Sequence, residues 1–187
     1  MREETVRVGD VELSLLRPAE PDQLLDETAF GPDEFLPYWA ELWPAGLALA
    51  RALPEDLAGL RVIELGCGLG IPSLLAAARG ADVTAVDWAA DAVSLLHTNA
   101  AANGLAVDAR VRDWRDLTPP AEPYDLALAA DVLYEERNVE PLALILPKLA
   151  PTALVALAGR PHEDAFVARV GGEPVAERIV RIGQPMT

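Results

Sequence analysis

Apolar and polar residues alternate over 5–16 around Gly9-Asp10, a pattern that predicts a small hairpin. Over 17–37 the prolines at 18, 21, 32 and 37 break any period, and the spacing predicts an irregular segment with one helical turn. The run Tyr38-Trp39-Ala40-Glu41-Leu42-Trp43-Pro44-Ala45-Gly46 then leads into an Ala/Leu helix ending near Leu53. Beyond it, short apolar runs and helical periods take turns. Strands are expected over 61–65, 82–87, 107–112, 124–130, 152–158 and 174–182, and helices over 71–79, 89–102, 136–149 and 162–170. Internal strands such as Leu126-Ala127-Leu128-Ala129-Ala130 are unbroken apolar runs, as in parallel strands covered on both faces. The alternation implies an α/β fold, with a mostly parallel central sheet and helices on both faces. With no repeat and no linker in 187 residues, 1–187 reads as a single domain: an N-terminal extension over 1–58 and a core over 59–187.

The richest stretch lies between the first core strand and its helix: Glu64-Leu65-Gly66-Cys67-Gly68-Leu69-Gly70. Glycines at alternate positions let a backbone turn press close to a ligand, since no Cβ intervenes. The helix start behind them offers unpaired N–H groups to polar ligand atoms. Asp87 follows at the end of the next strand, placed to accept hydrogen bonds from two ribose hydroxyls. Gly66 and Gly68 match the start of the dinucleotide fingerprint, but Ile71 stands where its third glycine belongs, so the pattern is G-x-G-x-G.

Ligands of such a sheet bind outside the carboxyl ends of the strands. That rule gathers Glu64, Asp87, Asp113 and Asp131 around one crevice, a set suited to a cationic ligand. A helix cap is the plain alternative for any single one of them. Trp88 and Trp114, each directly after an acid, can cover a flat ring or anchor a helix start. Trp39 and Trp43 lie four apart and share a face if that segment is helical, with core packing the simpler role for Trp39. Asn99 and Asn103, also four apart, read as end-of-helix polar groups. His97 and His162 lack metal-ligand spacing, and no metal is expected.

Net charge is −15 and the arginines are scattered singly, which argues against nucleic acid as the main partner. An acidic surface steers basic or cationic substrates, and equally serves solubility alone. No apolar stretch is long enough for a membrane span, and the charged N-terminus has no signal-peptide core. The lone Cys67 reads as a small semi-buried thiol. A cytoplasmic enzyme is the expectation.

Four segments together resemble one family. The Trp39–Gly46 run, the glycine turn, Arg112-Asp113-Trp114 and Ala130-Asp131-Val132-Leu133-Tyr134 look like the seven-strand protein-lysine methyltransferases (methyltransferase family 16). These are class I S-adenosylmethionine (SAM) methyltransferases with a Rossmann-like fold. The similarity runs from about residue 35 to 160 and is greatest to a bacterial branch resembling the enzymes that act on the electron-transfer flavoprotein β-subunit.

The resemblance implies SAM as cofactor and S-adenosylhomocysteine (SAH) as product. By position it gives a cofactor-binding set of Trp43, Glu64, Gly66, Cys67, Gly68, Asp87, Trp88, Asp113 and Trp114. It gives Asp131 and Tyr134 to the substrate lysine and the transferred methyl group. The family sheet ends in two antiparallel strands. Here only 174–182 is clearly strand-like, so one strand is expected to be missing or replaced by part of the hairpin.

The expected function is SAM-dependent N-methylation of a protein lysine. A small-molecule methyltransferase acting on an amine or heterocycle, and a non-catalytic SAM-binding regulatory module, stand as alternatives. The substrate, the number of methyl groups and the oligomeric state stay open.

Overall fold

The computed structural model of the protein describes residues 1–19 and 38–185. From residue 20 on, the irregular segment expected over 17–37 lies outside the described residues.

Strands β1 (Arg2–Val8) and β2 (Val11–Arg17) form the expected hairpin, in register from Arg2↔Arg17 to Val8↔Val11. Its alternation buries Val6, Val8, Leu13 and Leu15. A 3₁₀ turn at Tyr38–Ala40 precedes helix α1 (Pro44–Ala52), which opens on a proline, where a missing N–H costs nothing. The segment is therefore not one continuous helix, and Trp43 is the residue that caps α1.

The core then alternates β3 (Arg61–Leu65), α2 (Ile71–Ala78), β4 (Asp82–Asp87), α3 (Ala90–Ala102) and β5 (Asp108–Val111). It continues with β6 (Leu126–Ala130), α4 (Val139–Leu149), β7 (Thr152–Ala156) and α5 (Glu163–Val170). The start of the helix expected over 136–149 is instead a 3₁₀ turn, Glu136–Asn138.

With β8 (Glu173–Ala176) and β9 (Ile179–Gly183), the seven-stranded sheet has the order β5-β4-β3-β6-β7-β9-β8. Strands β3 to β7 are parallel. The chain runs outward from β3 through β4 to β5 and returns to β6 on the other side of β3. The order therefore reverses between β3 and β6, and a crevice opens above their carboxyl ends. The central strands split their side chains between two cores. Val62, Leu126 and Leu128 face α1, α2 and the hairpin, whereas Ile63, Leu65 and Ala127 face α4 and α5. The same alternation turns Glu64 toward α2.

One expectation fails. No strand is missing at the far edge: β8 (Glu173–Ala176) and β9 (Ile179–Gly183) both form, antiparallel to each other, with β9 antiparallel to β7. The turn between them uses Arg178 at φ 56 rather than glycine, and β8 is exposed along its whole length. The single strand expected over 174–182 is thus two strands, and a turn without Gly or Asn leaves no sequence signal for the division.

Asn99 and Asn103 do more than end a helix. Each amide grips a backbone position of β2. Asn99 takes the N–H of Leu16 and donates to its carbonyl (2.8 and 3.0 Å), and Asn103 does the same at Ser14 (2.8 and 2.7 Å). Spacing of four along α3 matches spacing of two along β2. Among the described residues no helix is long and apolar enough to cross a membrane.

Candidate active site

All three alternate glycines have positive φ: 65° at Gly66, 50° at Gly68 and 71° at Gly70. The turn is stitched to the end of β4, since the N–H groups of Gly66 and Cys67 both donate to the Val86 carbonyl (2.9 and 3.1 Å). A Cβ at Gly66 would lie 2.9 Å from the Val132 side chain, and one at Gly68 would lie 3.3 Å from the Trp39 carbonyl. Those two glycines let the walls of the crevice close in. Gly70 serves packing instead, because its Cβ would lie 2.4 Å from Leu96 of α3.

Asp87 bridges the turn and the next helix. One carboxylate oxygen accepts from Gly68 N–H and the other from Ala89 N–H, both at 2.9 Å. Burial raises its carboxyl above the ordinary value, and those backbone donors pull it back. Even with the Trp88 N–H as a third backbone donor, the roughly four lone-pair sites of a carboxylate are not exhausted, so acceptor capacity remains.

Glu64 is 1% exposed. Its Oε2 accepts from the Ser73 N–H (3.0 Å) and the Ser73 hydroxyl, in the first turn of α2. Burial pushes its carboxyl up to about 8, against the lowering effect of Ser73. Cys67 is buried, and its thiol is likewise pushed up by burial.

A cavity of about 330 Å³ runs from this turn to the mouth of the crevice. Of the predicted site residues, Trp43, Glu64, Gly66, Cys67 and Gly68 line it, as do Asp87, Trp88, Trp114, Asp131 and Tyr134. Asp113 does not. Arg115 holds its carboxylate with Nε and Nη2 (2.9 and 2.6 Å) and keeps it below the usual carboxylate range. Asp113 borders a small adjoining recess with Trp88 and Trp114. Asn138 also borders that recess, and its Oδ1 is buried with no hydrogen-bond partner among the described residues. The Asn138 Nδ2 donates to the Val132 carbonyl (2.8 Å), which fixes the loop after β6.

At the mouth, Asp131 sits at φ 51, in the left-handed region. Its two oxygens accept from Arg160 Nε (2.8 Å) and Nη2 (2.7 Å). The Arg160 guanidinium also lies 5.8 Å from the Trp43 ring. Tyr38 joins this wall, with its ring 6.2 Å from that of Trp43 and 5.6 Å from that of Tyr134. Burial raises the Tyr134 phenol, and the charges of Glu135 and Asp87 add to the shift. Trp39 lines the cavity too, rather than packing wholly inside.

Sequence reasoning missed Ser73, Tyr38, Asn138 and Arg160. A lone serine in an Ala/Leu helix was the available hint for Ser73. Arg160 stands 29 residues from its partner, and nothing in the spacing joins them.

The fold and the crevice define a class I methyltransferase architecture. Among solved structures, the chain superposes on a T. thermophilus 16S rRNA methyltransferase in complex with AdoMet and guanosine. The TM-score is 0.68 at 21% identity, over 98% of this chain and 50% of that one. It also resembles the Synechocystis magnesium protoporphyrin IX methyltransferase with bound SAM, with TM-score 0.57 and 22% identity over 69% of this chain and 72% of that one.

The sequence profile of the lysine methyltransferase family matches residues 39–170, and the chain belongs to that family. It is 39% identical over 104 residues to the electron transfer flavoprotein beta subunit lysine methyltransferase of Danio rerio, covering 54% of this chain and 40% of that protein. It is 36% identical over 88 residues to a ubiquinone biosynthesis O-methyltransferase of Methylocella silvestris, covering 47% of this chain and 34% of that protein. The chain thus spans 40% or less of the length of these two curated relatives.

Proposed function

We propose that this chain carries out SAM-dependent N-methylation of a lysine side chain in a protein substrate. The observation that carries this reading is one cavity with two unlike ends: a glycine turn clasped by Asp87, and an acid beside aromatic rings. The family match and the zebrafish relative, a protein-lysine methyltransferase by name, support it.

The residues present fit SAM. A volume near 330 Å³ falls in the range of small-ligand sites, about 300–1,000 Å³. Asp87 keeps acceptor capacity for a ribose diol, and Glu64 offers a buried carboxyl to the amino-acid end. The unpartnered Asn138 Oδ1, beside Trp88 and Trp114, suits the amine edge of a flat base. SAM, when bound, supplies a methyl group on a positive sulfur.

The remaining work falls to the chain's own residues, and it is mainly positioning, worth on the order of 7–11 kcal/mol in well-oriented systems. Asp131 accepts a hydrogen bond from the incoming nitrogen, and Tyr134 walls the approach. A free lysine has a pKa of about 10.4, so its ammonium must lose a proton before it can act. In this reading water at the mouth takes that proton.

The test is incubation of the purified protein with methyl-labelled SAM and a lysate of its own organism. Label in methyl-lysine after protein hydrolysis is expected. Label confined to the small-molecule fraction would overturn the lysine assignment in favour of a small-molecule acceptor.

A further inference from the structure

The acid assigned to the acceptor nitrogen already holds a cation. Asp131 is nearly buried, with 7% side-chain exposure, and Arg160 meets both of its oxygens. The same guanidinium lies over the Trp43 ring, in the wall that Tyr38 and Tyr134 continue. A carboxylate beside aromatic faces is the chemistry that recognises an alkylammonium. We infer that Arg160 occupies the seat of the acceptor cation on Asp131, and that the acceptor must displace it. This rests on the lysine reading above and makes Arg160 a specificity-determining residue for it.

Three features make the exchange feasible. First, among the described residues the hydrogen bonds of the Arg160 side chain go to Asp131, so leaving breaks that ion pair and the contact with the Trp43 ring. Second, the loop that carries it is anchored without it. Glu163, at the start of α5, accepts from Ala158 N–H (2.6 Å) and Gly159 N–H (2.9 Å), so the backbone can stay while the side chain swings. Third, the Arg160 side chain is 35% exposed, so solvent can receive the freed guanidinium.

The consequence is selection by charge. Hydrogen bonds in which one group is ionised are roughly twice as strong as neutral ones. A primary ammonium, with three donors and a full charge, can replace the guanidinium on Asp131. A hydroxyl or a neutral heterocycle leaves the ion pair closed and meets a blocked seat. Apparent affinity for the cation is also lowered by the fraction of time the seat is free. Arg160 therefore weakens every acceptor and excludes neutral ones.

The experiment uses n-butylammonium as a lysine side-chain probe and n-butanol as its neutral match, at constant ionic strength, on the SAH-mixed protein. In the wild type, the Arg160 Nε–H resonance is followed by NMR and assigned by its absence in R160K. Butylammonium should move it toward the position of a free arginine, and n-butanol should leave it in place. Arg160→Gln should bind butylammonium about tenfold more tightly, read from the Trp43 indole N–H, and adding Asp131→Asn should abolish that gain.

An Arg160 resonance that stays fixed at saturating butylammonium would overturn the proposal. So would an R160Q protein that binds the cation no tighter than wild type. The wild-type titration depends on a variant only for the assignment, for which the conservative R160K is used. Cation exchange without lysine methylation would sink only the proposed function, and lysine methylation without exchange would sink only this inference.

Discussion

The floor of the crevice and its mouth are built on opposite plans. The floor is backbone held by backbone. Gly66 and Cys67 bond Val86, Gly68 bonds Asp87, and Glu64 locks onto the first turn of α2. Its polar groups are buried and paired before any ligand arrives. The mouth is side chain on side chain, drawn from four separate stretches. The 3₁₀ turn gives Tyr38, the cap of α1 gives Trp43, the loop after β6 gives Asp131 and Tyr134, and the loop after β7 gives Arg160. Its rings are exposed, 44% at Tyr38 and 39% at Tyr134. A floor of this kind suits one invariant ligand. A mouth of this kind can exchange partners, which an acceptor site must do at every turnover.

The sharpest break of this contrast is at Glu64. Folded Glu64 keeps its proton up to about 8, whereas its ordinary value is 4.5. The folded state therefore binds more protons than the unfolded one between those limits. Stability falls as pH rises through that window, by about 1.4 kcal/mol per pH unit for one proton. Glu64→Gln removes the titrating group and this slope. By urea unfolding, the two proteins should match near pH 4.5 and diverge upward, with the variant ahead near pH 8. SAH binding should be weaker in the variant throughout. Parallel stability curves would mean that Glu64 is ionised in the folded protein, and the floor would lose its buried neutral acid.

A second effect separates glycines that shape the floor from one on the helix beside the mouth. Gly70→Ala puts a Cβ against Leu96 at a left-handed position. The conformation costs about 1–2 kcal/mol and the overpacking about 1–3, so a loss of about 3 kcal/mol is expected in urea unfolding. Gly46 lies inside α1 with nothing among the described residues within 4 Å of its Cβ position. Gly46→Ala should stabilise by about 0.5–1 kcal/mol. Equal effects at the two positions would remove the packing role given to Gly70.

The same division explains what could be read in the chain. The floor was legible because its parts are local: a strand, alternate glycines, a helix, and an acid at the next strand end. Backbone geometry forces that order, so spacing carries it. The parallel sheet was legible for a similar reason, in apolar runs such as Leu126 to Ala130. Of the mouth residues, the sequence pointed to Asp131 and Tyr134, and to Trp43 as part of the cofactor set. It did not point to Arg160, because an ion pair between two loops depends on how β6 and β7 are neighbours, and no period encodes that. Asp113 looked like a cleft acid by its strand end. Arg115, two residues on, claims its carboxylate. The stretch 174–182 reads as one strand in the sequence, and its division into β8 and β9 was hidden because the turn between them carries neither Gly nor Asn. The grip of Asn99 and Asn103 on β2 was hidden because it joins a helix to a hairpin 83 and 89 residues away.

The smallest expected effect on stability is at Tyr38, where the two plans should come apart. Its ring is exposed, and its ring contacts among the described residues are with mouth residues, Trp43 and Tyr134. The bond from Trp43 Nε1 goes to the Tyr38 backbone carbonyl (2.6 Å), so removing the ring leaves it intact. Tyr38→Ala should shift unfolding by no more than about 0.5 kcal/mol, as for most exposed positions. SAH affinity by calorimetry should stay within about twofold, because the floor does not feel the change. Methyl transfer to the protein fraction labelled by wild type should show KM raised about fivefold, the share of one aromatic face in holding a cation. A fall in SAH affinity that matched the rise in KM would mean that floor and mouth respond as one unit. The exchange of Arg160 for substrate could then not proceed over an undisturbed cofactor.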